Sequence, residues 1–187
     1  MADIIVESLY QEQKKTKPKI EDAIPEYLEG NLRKTAQDFV AYLRENKMKP
    51  SWMLTNSWKV NYKNKCICQM RIWADKINHF GPPGTSWVIT PYLDYVDRYK
   101  AQIMDEGLQN TIWNNVFYCV HNSGRGGKGC NPIKSCASGR SVMLFGKELK
   151  GICCTRPLIW FFDPDEMAID CIKRLLVFEQ NARDELN

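Results

Sequence analysis

Apolar residues recur at helical spacing in the first third of the chain. Leu32, Ala36, Phe39 and Leu43 follow the three- and four-residue steps that place side chains on one face of a helix. The pattern predicts an amphipathic helix over residues 25–46, and Pro50 closes this region because proline lacks the amide that a helix needs.

Two alternating runs, residues 58–62 and 66–72, predict a β-hairpin around a turn that contains Asn64. A slip of one residue would move lysine and asparagine side chains into the apolar face, so burial selects one register. That register pairs Tyr62 with Cys66, Val60 with Cys68 and Trp58 with Met70, and adds Ile72 to the same face.

The remaining elements follow from apolar runs and breaking residues. They are a strand at 87–90, helices between 91 and 118 that break at Gly107, strands at 141–145 and 149–154, and a central strand at 158–162. A last helix is predicted to start at Asp163 as N-cap, with Pro164 in its first turn and Glu166 closing a capping box. These elements predict an α+β fold, a single domain with helices packed on an antiparallel sheet.

Composition places the chain among ordinary globular proteins, with 187 residues and a formal net charge of +4. Lys14, Lys15, Lys17 and Lys19 contribute much of the surplus, and residues 1–19 are predicted to be a mobile leader ahead of a domain at 20–187. No apolar run is long enough to span a bilayer and no secretory signal precedes the domain. We therefore expect a cytoplasmic protein with no membrane partner, and binding to nucleic acid is not expected because no basic stripe on one element carries stacking aromatics.

Five of the eight cysteines lie between residues 119 and 154, around a glycine-rich run. Cys66, Cys68 and Cys171 fall instead at apolar positions and are predicted to lie in the core. The loop cysteines have no apolar period to join, and thiolates are ligands that zinc prefers. The sequence therefore predicts a structural zinc site with four ligands, for which His121 and Cys154 are substitutes: Cys119, Cys130, Cys136 and Cys153.

A reactive thiol is an alternative interpretation of the same segment. Cys136 precedes Arg140 by four residues, and a positive neighbour favours the thiolate form that attacks substrates or senses oxidants. Free cysteines on a flexible loop are a further alternative. The sequence alone does not choose between a zinc site, a thiol enzyme or redox sensor, and unliganded thiols.

Aromatic residues supply a third hypothesis, a small-molecule pocket with aromatic walls. Trp73 and Trp87 are the predicted ligand-binding residues, because neither fits the buried face of the hairpin. The aromatic residues on the apolar face of the hairpin, Trp58 and Tyr62, are assigned to the core.

Short motifs resemble small uncharacterised bacterial α+β proteins of the iron-chaperone-like class. The resemblance rests on residues 57–66 and 87–89, and residues 145–147, 153–154 and 162–166 look like a cysteine-rich variant of such proteins. It implies an α+β fold in a bacterial cytosol and assigns no catalytic residue. The sequence thus predicts a binding protein with a zinc-holding loop, and it defines neither the ligand nor the oligomeric state.

Overall fold

A computed structural model describes residues 2–73, 82–118, 140–153 and 157–186. The helices are α1 Ala2–Thr16, α2 Ile20–Tyr27, α3 Gly30–Glu45, α4 Val96–Asp105, α5 Gln109–Asn114 and α6 Glu166–Asp184. The strands are β1 Lys49–Leu54, β2 Ser57–Tyr62, β3 Lys65–Ile72, β4 Trp87–Pro91, β5 Arg140–Leu144, β6 Lys147–Ile152 and β7 Phe161–Phe162. Within these ranges no helix is long and apolar enough to cross a membrane.

Five strands form one antiparallel sheet in the order β1-β2-β3-β4-β7, and β5 and β6 form a separate hairpin. Successive side chains on a strand point to opposite faces of a sheet. The inner face of the large sheet packs on the helices, as Trp58, Met70 and Ile89 do in the main core cluster. The outer face is defined by the alternate positions: Ser51, Ser57, Lys59, Gln69, Arg71, Val88, Thr90 and Phe162.

The predicted fold class is confirmed, because helices and an antiparallel sheet share one main core. The helix predicted at 25–46 is two helices, since α2 ends at Tyr27 and α3 begins at Gly30. Gly30 has a φ of 53°, a left-handed conformation that glycine adopts without strain. The break at Gly107 is confirmed, with a φ of 70° between α4 and α5.

The predicted mobile leader contains helix α1, which the lysine-rich composition does not predict. Gln13, near the end of α1, is buried, and its Nε2 donates to Oδ1 of Asn56 at 2.5 Å. Gln13 Oε1 in turn accepts from the backbone N–H of Asn56 at 2.8 Å and from the Trp52 indole at 3.3 Å. The end of α1 is therefore fixed to the turn between β1 and β2.

The hairpin register is confirmed at Trp58–Met70 and Val60–Cys68, and it is wrong at the tip. A β-bulge after Val60 adds Ile67 to β3, so Cys66 pairs with Asn61 instead of Tyr62. Lys63 and Asn64 form a two-residue turn with φ values of 45° and 66°, as a type I′ turn requires. Cys66 is half-buried as a result, whereas Cys68 and Cys171 lie in the core as predicted.

Two other strands differ from the sequence predictions. Strand β1 is not predicted at all, because Lys49 and Pro50 resemble the end of a helical region. The sequence predicts a central strand at 158–162. In the structure only Phe161–Phe162 pair with β4, and they form an edge strand of the sheet. Ile159 pairs instead with Val116, outside the sheet.

The N-cap of α6 is Asp165 instead of Asp163. The Asp165 carboxylate accepts from the backbone N–H of Ala168 at 2.8 Å. Asp163 has a different task, because its Oδ1 accepts from the backbone N–H groups of Ser86 and Trp87 at 3.0 and 2.9 Å. Asp163 thereby joins the end of β7 to the start of β4.

Candidate binding site on the outer face of the sheet

Three of the four predicted zinc ligands, Cys119, Cys130 and Cys136, lie outside the described residues, as do His121 and Cys154. Cys153 is described and is buried, with 5% of its surface exposed. Across the described ranges, no group of three or more His, Cys, Asp or Glu side chains is arranged to hold a metal ion.

Cys153 follows β6 and lies in a small second core cluster with Val88, Phe117 and Trp160. The preceding residue, Ile152, pairs with Tyr118 in an isolated bridge and with Arg140 in the β5–β6 hairpin. The described residues on either side of the gap 119–139 therefore meet at the end of the strand that leads to Cys153.

The two predicted ligand-binding tryptophans lie on opposite faces of the sheet. Trp87 pairs with Ile72 on the inner face and is completely buried, and its indole Nε1 has no hydrogen-bond partner among the described residues. Trp73 follows Ile72, is half-buried, and its ring lies 6.3 Å from that of Phe162 on the outer face. The structure does not bring the two tryptophans together in one pocket.

A cleft of about 120 Å³ opens on the outer face, between β1, β2, β3 and β4 and the segment that precedes β7. Its polar side chains are Ser57, Gln69, Arg71 and Thr90. Its apolar side is formed by residues of three different segments: Met53, Leu54, Val88, Pro157 and Trp160. Among the described residues that line this cleft, none is acidic and Arg71 is the charged one.

Ser57 orients the Arg71 guanidinium from the neighbouring strand. The two residues are direct partners in the β2–β3 register, and Arg71 Nε donates to Ser57 Oγ at 2.8 Å. The Ser57 hydroxyl donates to the carbonyl of Thr55 at 3.2 Å, so the serine is itself held in place. A guanidinium oriented in this way presents a planar set of donors that suits a carboxylate or a phosphate.

Trp160 forms the aromatic wall of the cleft and is held by ring stacking and by hydrogen bonds. Its ring stacks on Phe117 with centroids 4.4 Å apart. Its indole Nε1 donates to the carbonyl of Pro157 at 3.0 Å, and its backbone N–H donates to the carbonyl of Asn115 at 2.8 Å. The wall is therefore preformed, which lowers the cost of ordering side chains when a ligand binds.

The strands of the large sheet carry basic residues and no acidic ones. None of the five strand segments contains Asp or Glu, and their charged residues are Lys49, Lys59, Lys65 and Arg71. The chain has 22 acidic residues, so this absence concentrates positive charge on the sheet.

Charges on the inner side are paired instead. Glu179 and Arg183 of α6 are 0% and 3% exposed and form an ion pair at 2.9 Å. The Tyr99 hydroxyl donates to Glu179 at 2.7 Å, and Arg183 donates to the carbonyl of Cys66 at 3.1 Å. Burial and the Glu179 carboxylate raise the pKa of Tyr99, so the tyrosine stays a donor. This network ties α6 to α4 and to the hairpin.

Sequence reasoning missed Arg71, Ser57 and Trp160 as site residues. Arg71 and Ser57 occupy polar positions of strands, which are assumed to face solvent, and Trp160 lies in an apolar run assigned to a central strand. One signal was available, because the strands are free of Asp and Glu in the sequence itself.

Comparison of the chain with models of known protein families, with curated proteins and with solved structures finds no match. The resemblance to the iron-chaperone-like class therefore stays a prediction from the sequence.

Proposed function

We propose that this chain is a binding protein for a small organic anion, which it holds in the outer-face cleft through Arg71. The observation that carries the proposal is the cleft itself, which a serine-oriented guanidinium and an aromatic wall both line, with no acidic residue among the described lining residues. Binding sites of this kind combine mainly apolar walls with a few placed polar groups.

The dimensions and donors of the cleft favour a particular ligand chemistry. The volume of about 120 Å³ is somewhat smaller than the cavity of about 150 Å³ that holds a benzene ring, so the open cleft receives a carboxylate together with part of its apolar body. Arg71 and the Gln69 amide offer donors to the carboxylate. Leu54 and Trp160 offer contact to the apolar body, and 44% of the Leu54 surface is exposed.

Isothermal titration calorimetry with benzoate as the probe tests this function. We expect benzoate to bind, and Arg71→Gln to weaken the affinity at least about tenfold, since a hydrogen bond to a charged group contributes about 1.5–3 kcal/mol. Lys59→Gln is the matched control, because it removes one positive charge from the same face outside the cleft. Neutral benzamide should bind more weakly than benzoate.

Two results would count against the small-anion function. One is equal binding of benzamide and benzoate, which would show that the charge is not recognised. The other is an unchanged benzoate affinity in Arg71→Gln, measured on protein whose circular dichroism matches that of the wild type.

Structural zinc at Cys119, Cys130, Cys136 and Cys153 is a second proposal, which concerns stability instead of ligand binding. The observation in its favour is that Tyr118 and Arg140 both pair with Ile152, the residue before Cys153. Elemental analysis should find about one zinc per chain, and chelation should lower the melting temperature. Cys153→Ser should lose the metal, and the core variant Cys68→Ser should keep it. Wild-type protein that is purified without bound zinc would contradict the proposal.

The thiol-enzyme alternative, the cytoplasmic location and the bacterial setting stay predictions from the sequence. None of them is needed for binding at the outer-face cleft.

A further inference from the structure

We infer that the outer face of the sheet binds single-stranded nucleic acid, with one phosphate at the Arg71 cleft. The inference rests on the proposed anion site and extends it, because the positive charge on this face continues beyond the cleft. It concerns Lys49 and Lys59, which lie on the same face outside the cleft.

Three cations occupy one diagonal line of the register across three strands. Lys49 lies opposite Asn61, two residues from Lys59, and Lys59 lies opposite Gln69, two residues from Arg71. Diagonal neighbours in an antiparallel sheet are about 7–8 Å apart, so each cation lies one such step from the next. A line of evenly spaced positive charges matches a chain with repeated negative charges better than it matches one carboxylate.

The two lysines of this line, Lys49 and Lys59, are exposed. In the part of the chain that the structure describes, neither Lys49 nor Lys59 forms an ion pair, whereas Lys63 at the hairpin tip pairs with Asp184. Charge concentrated in this way is the electrostatic feature of surfaces that bind nucleic acid.

Aromatic side chains lie beyond Arg71 on the same face. Trp73 and Phe162 are both half-buried and stack on each other at 6.3 Å, beside Trp160 and Phe117. Proteins that bind single strands combine a basic track for the backbone with aromatic rings for the bases. A duplex keeps its bases stacked inside, so the aromatic residues favour a single strand.

The sequence-based expectation of no nucleic-acid binding considered stripes on one element and the lysines of residues 1–19. The diagonal runs across three strands, and only the register reveals it. Lys14 and Lys15 of α1 lie outside the sheet and serve as a matched control, because they also test the alternative that a basic arm binds nucleic acid.

The test is fluorescence anisotropy of the full chain with a labelled single-stranded RNA of mixed sequence and about twelve nucleotides, within the usual site size. Three phosphate contacts predict that log K falls with log salt with a slope of about −2. The double variant Lys49→Gln/Lys59→Gln should reduce the slope to about −0.7. Lys14→Gln/Lys15→Gln should leave the slope and the affinity unchanged.

Several outcomes would overturn the inference: no RNA binding at low salt, an equal loss of binding in the Lys14→Gln/Lys15→Gln control, or tighter binding to duplex DNA, heparin or anionic vesicles of phosphatidylserine. The benzoate titration distinguishes a failure of this inference from a failure of the proposed function. Benzoate binding without RNA binding would leave the small-anion function and remove this inference. RNA binding that Arg71→Gln does not weaken would remove the role of the cleft.

Discussion

The two faces of the five-stranded sheet have opposite chemistry, although alternate residues of the same strands form them. The inner face is apolar and buried under helices, and the charged pair Glu179–Arg183 behind it is internally neutralised. The outer face carries Lys49, Lys59 and Arg71 with no acidic residue on its strands. Along β2 the change happens between neighbours, since Trp58 is completely buried and Lys59 is exposed.

The difference shows which part of the chain fixes the fold and which part is available for binding. The inner face must bury apolar area, so its residues are constrained by packing. Lys49 and Lys59 on the outer face are exposed and have no such constraint. We therefore assign stability to the inner face, and the outer face is the surface for which we propose binding.

The largest expected effect concerns the neighbours Trp58 and Lys59. Trp58→Ala should lower the free energy of unfolding by about 3–5 kcal/mol, because it leaves a cavity in the core. It also removes the indole that donates to the carbonyl of Pro18 at 2.9 Å. Lys59→Ala should change stability by less than about 0.5 kcal/mol, as exposed substitutions usually do. Urea unfolding measures both, and similar values would break the distinction between the faces.

A second effect concerns the buried charges behind the inner face. Glu179→Gln should lower stability by about 3 kcal/mol, because it leaves the buried Arg183 without its anionic partner on α6. Glu106→Gln is the control, since Glu106 pairs with Arg174 where both side chains are at least one-third exposed, and it should cost at most about 1 kcal/mol. Equal losses in urea unfolding would contradict the assignment of Glu179 to a buried network.

A smaller effect separates the two cysteines of the hairpin. Burial raises the pKa of both thiols, and Cys68 is completely buried whereas Cys66 is half-buried beside the bulge. Iodoacetamide should therefore label Cys66 before Cys68, and the rate at Cys66 should keep rising with pH beyond the range of a free thiol, since only the thiolate reacts. Fragment-ion mass spectrometry of the peptide 66–71 locates the label. Equal labelling of the folded protein would contradict the bulged register.

Much of the fold could be predicted because apolar periodicity reports burial directly. The alternation in β2 and β3 correctly predicts the pairs Trp58–Met70 and Val60–Cys68. The errors occur where a local hydrogen bond or an inserted residue decides the outcome. Ile67 is the extra residue of a bulge, and Asp165 caps α6 while Asp163 binds the backbone of β4. No hydrophobic pattern contains that information.

The candidate site was less predictable because it depends on residues that only the sheet brings together. Ser57, Arg71 and Thr90 come from three strands, and Trp160 comes from a segment far along the chain. The tryptophans chosen from the sequence, Trp73 and Trp87, lie on opposite faces. Aromatic content alone cannot indicate which side of a strand a ring occupies when the register is unknown.

The most direct test of the small-anion cleft is a ¹H–¹⁵N nuclear magnetic resonance titration with benzoate that follows the six tryptophan indole signals. Trp160 lines the cleft on the outer face, whereas Trp58 and Trp87 are buried on the inner face. We predict that the Trp160 indole signal shifts saturably together with the amides of Ser57 and Arg71, while the signals of Trp58 and Trp87 stay in place. Saturable shifts at Trp58 or Trp87 with none at Trp160 would contradict binding at the outer face.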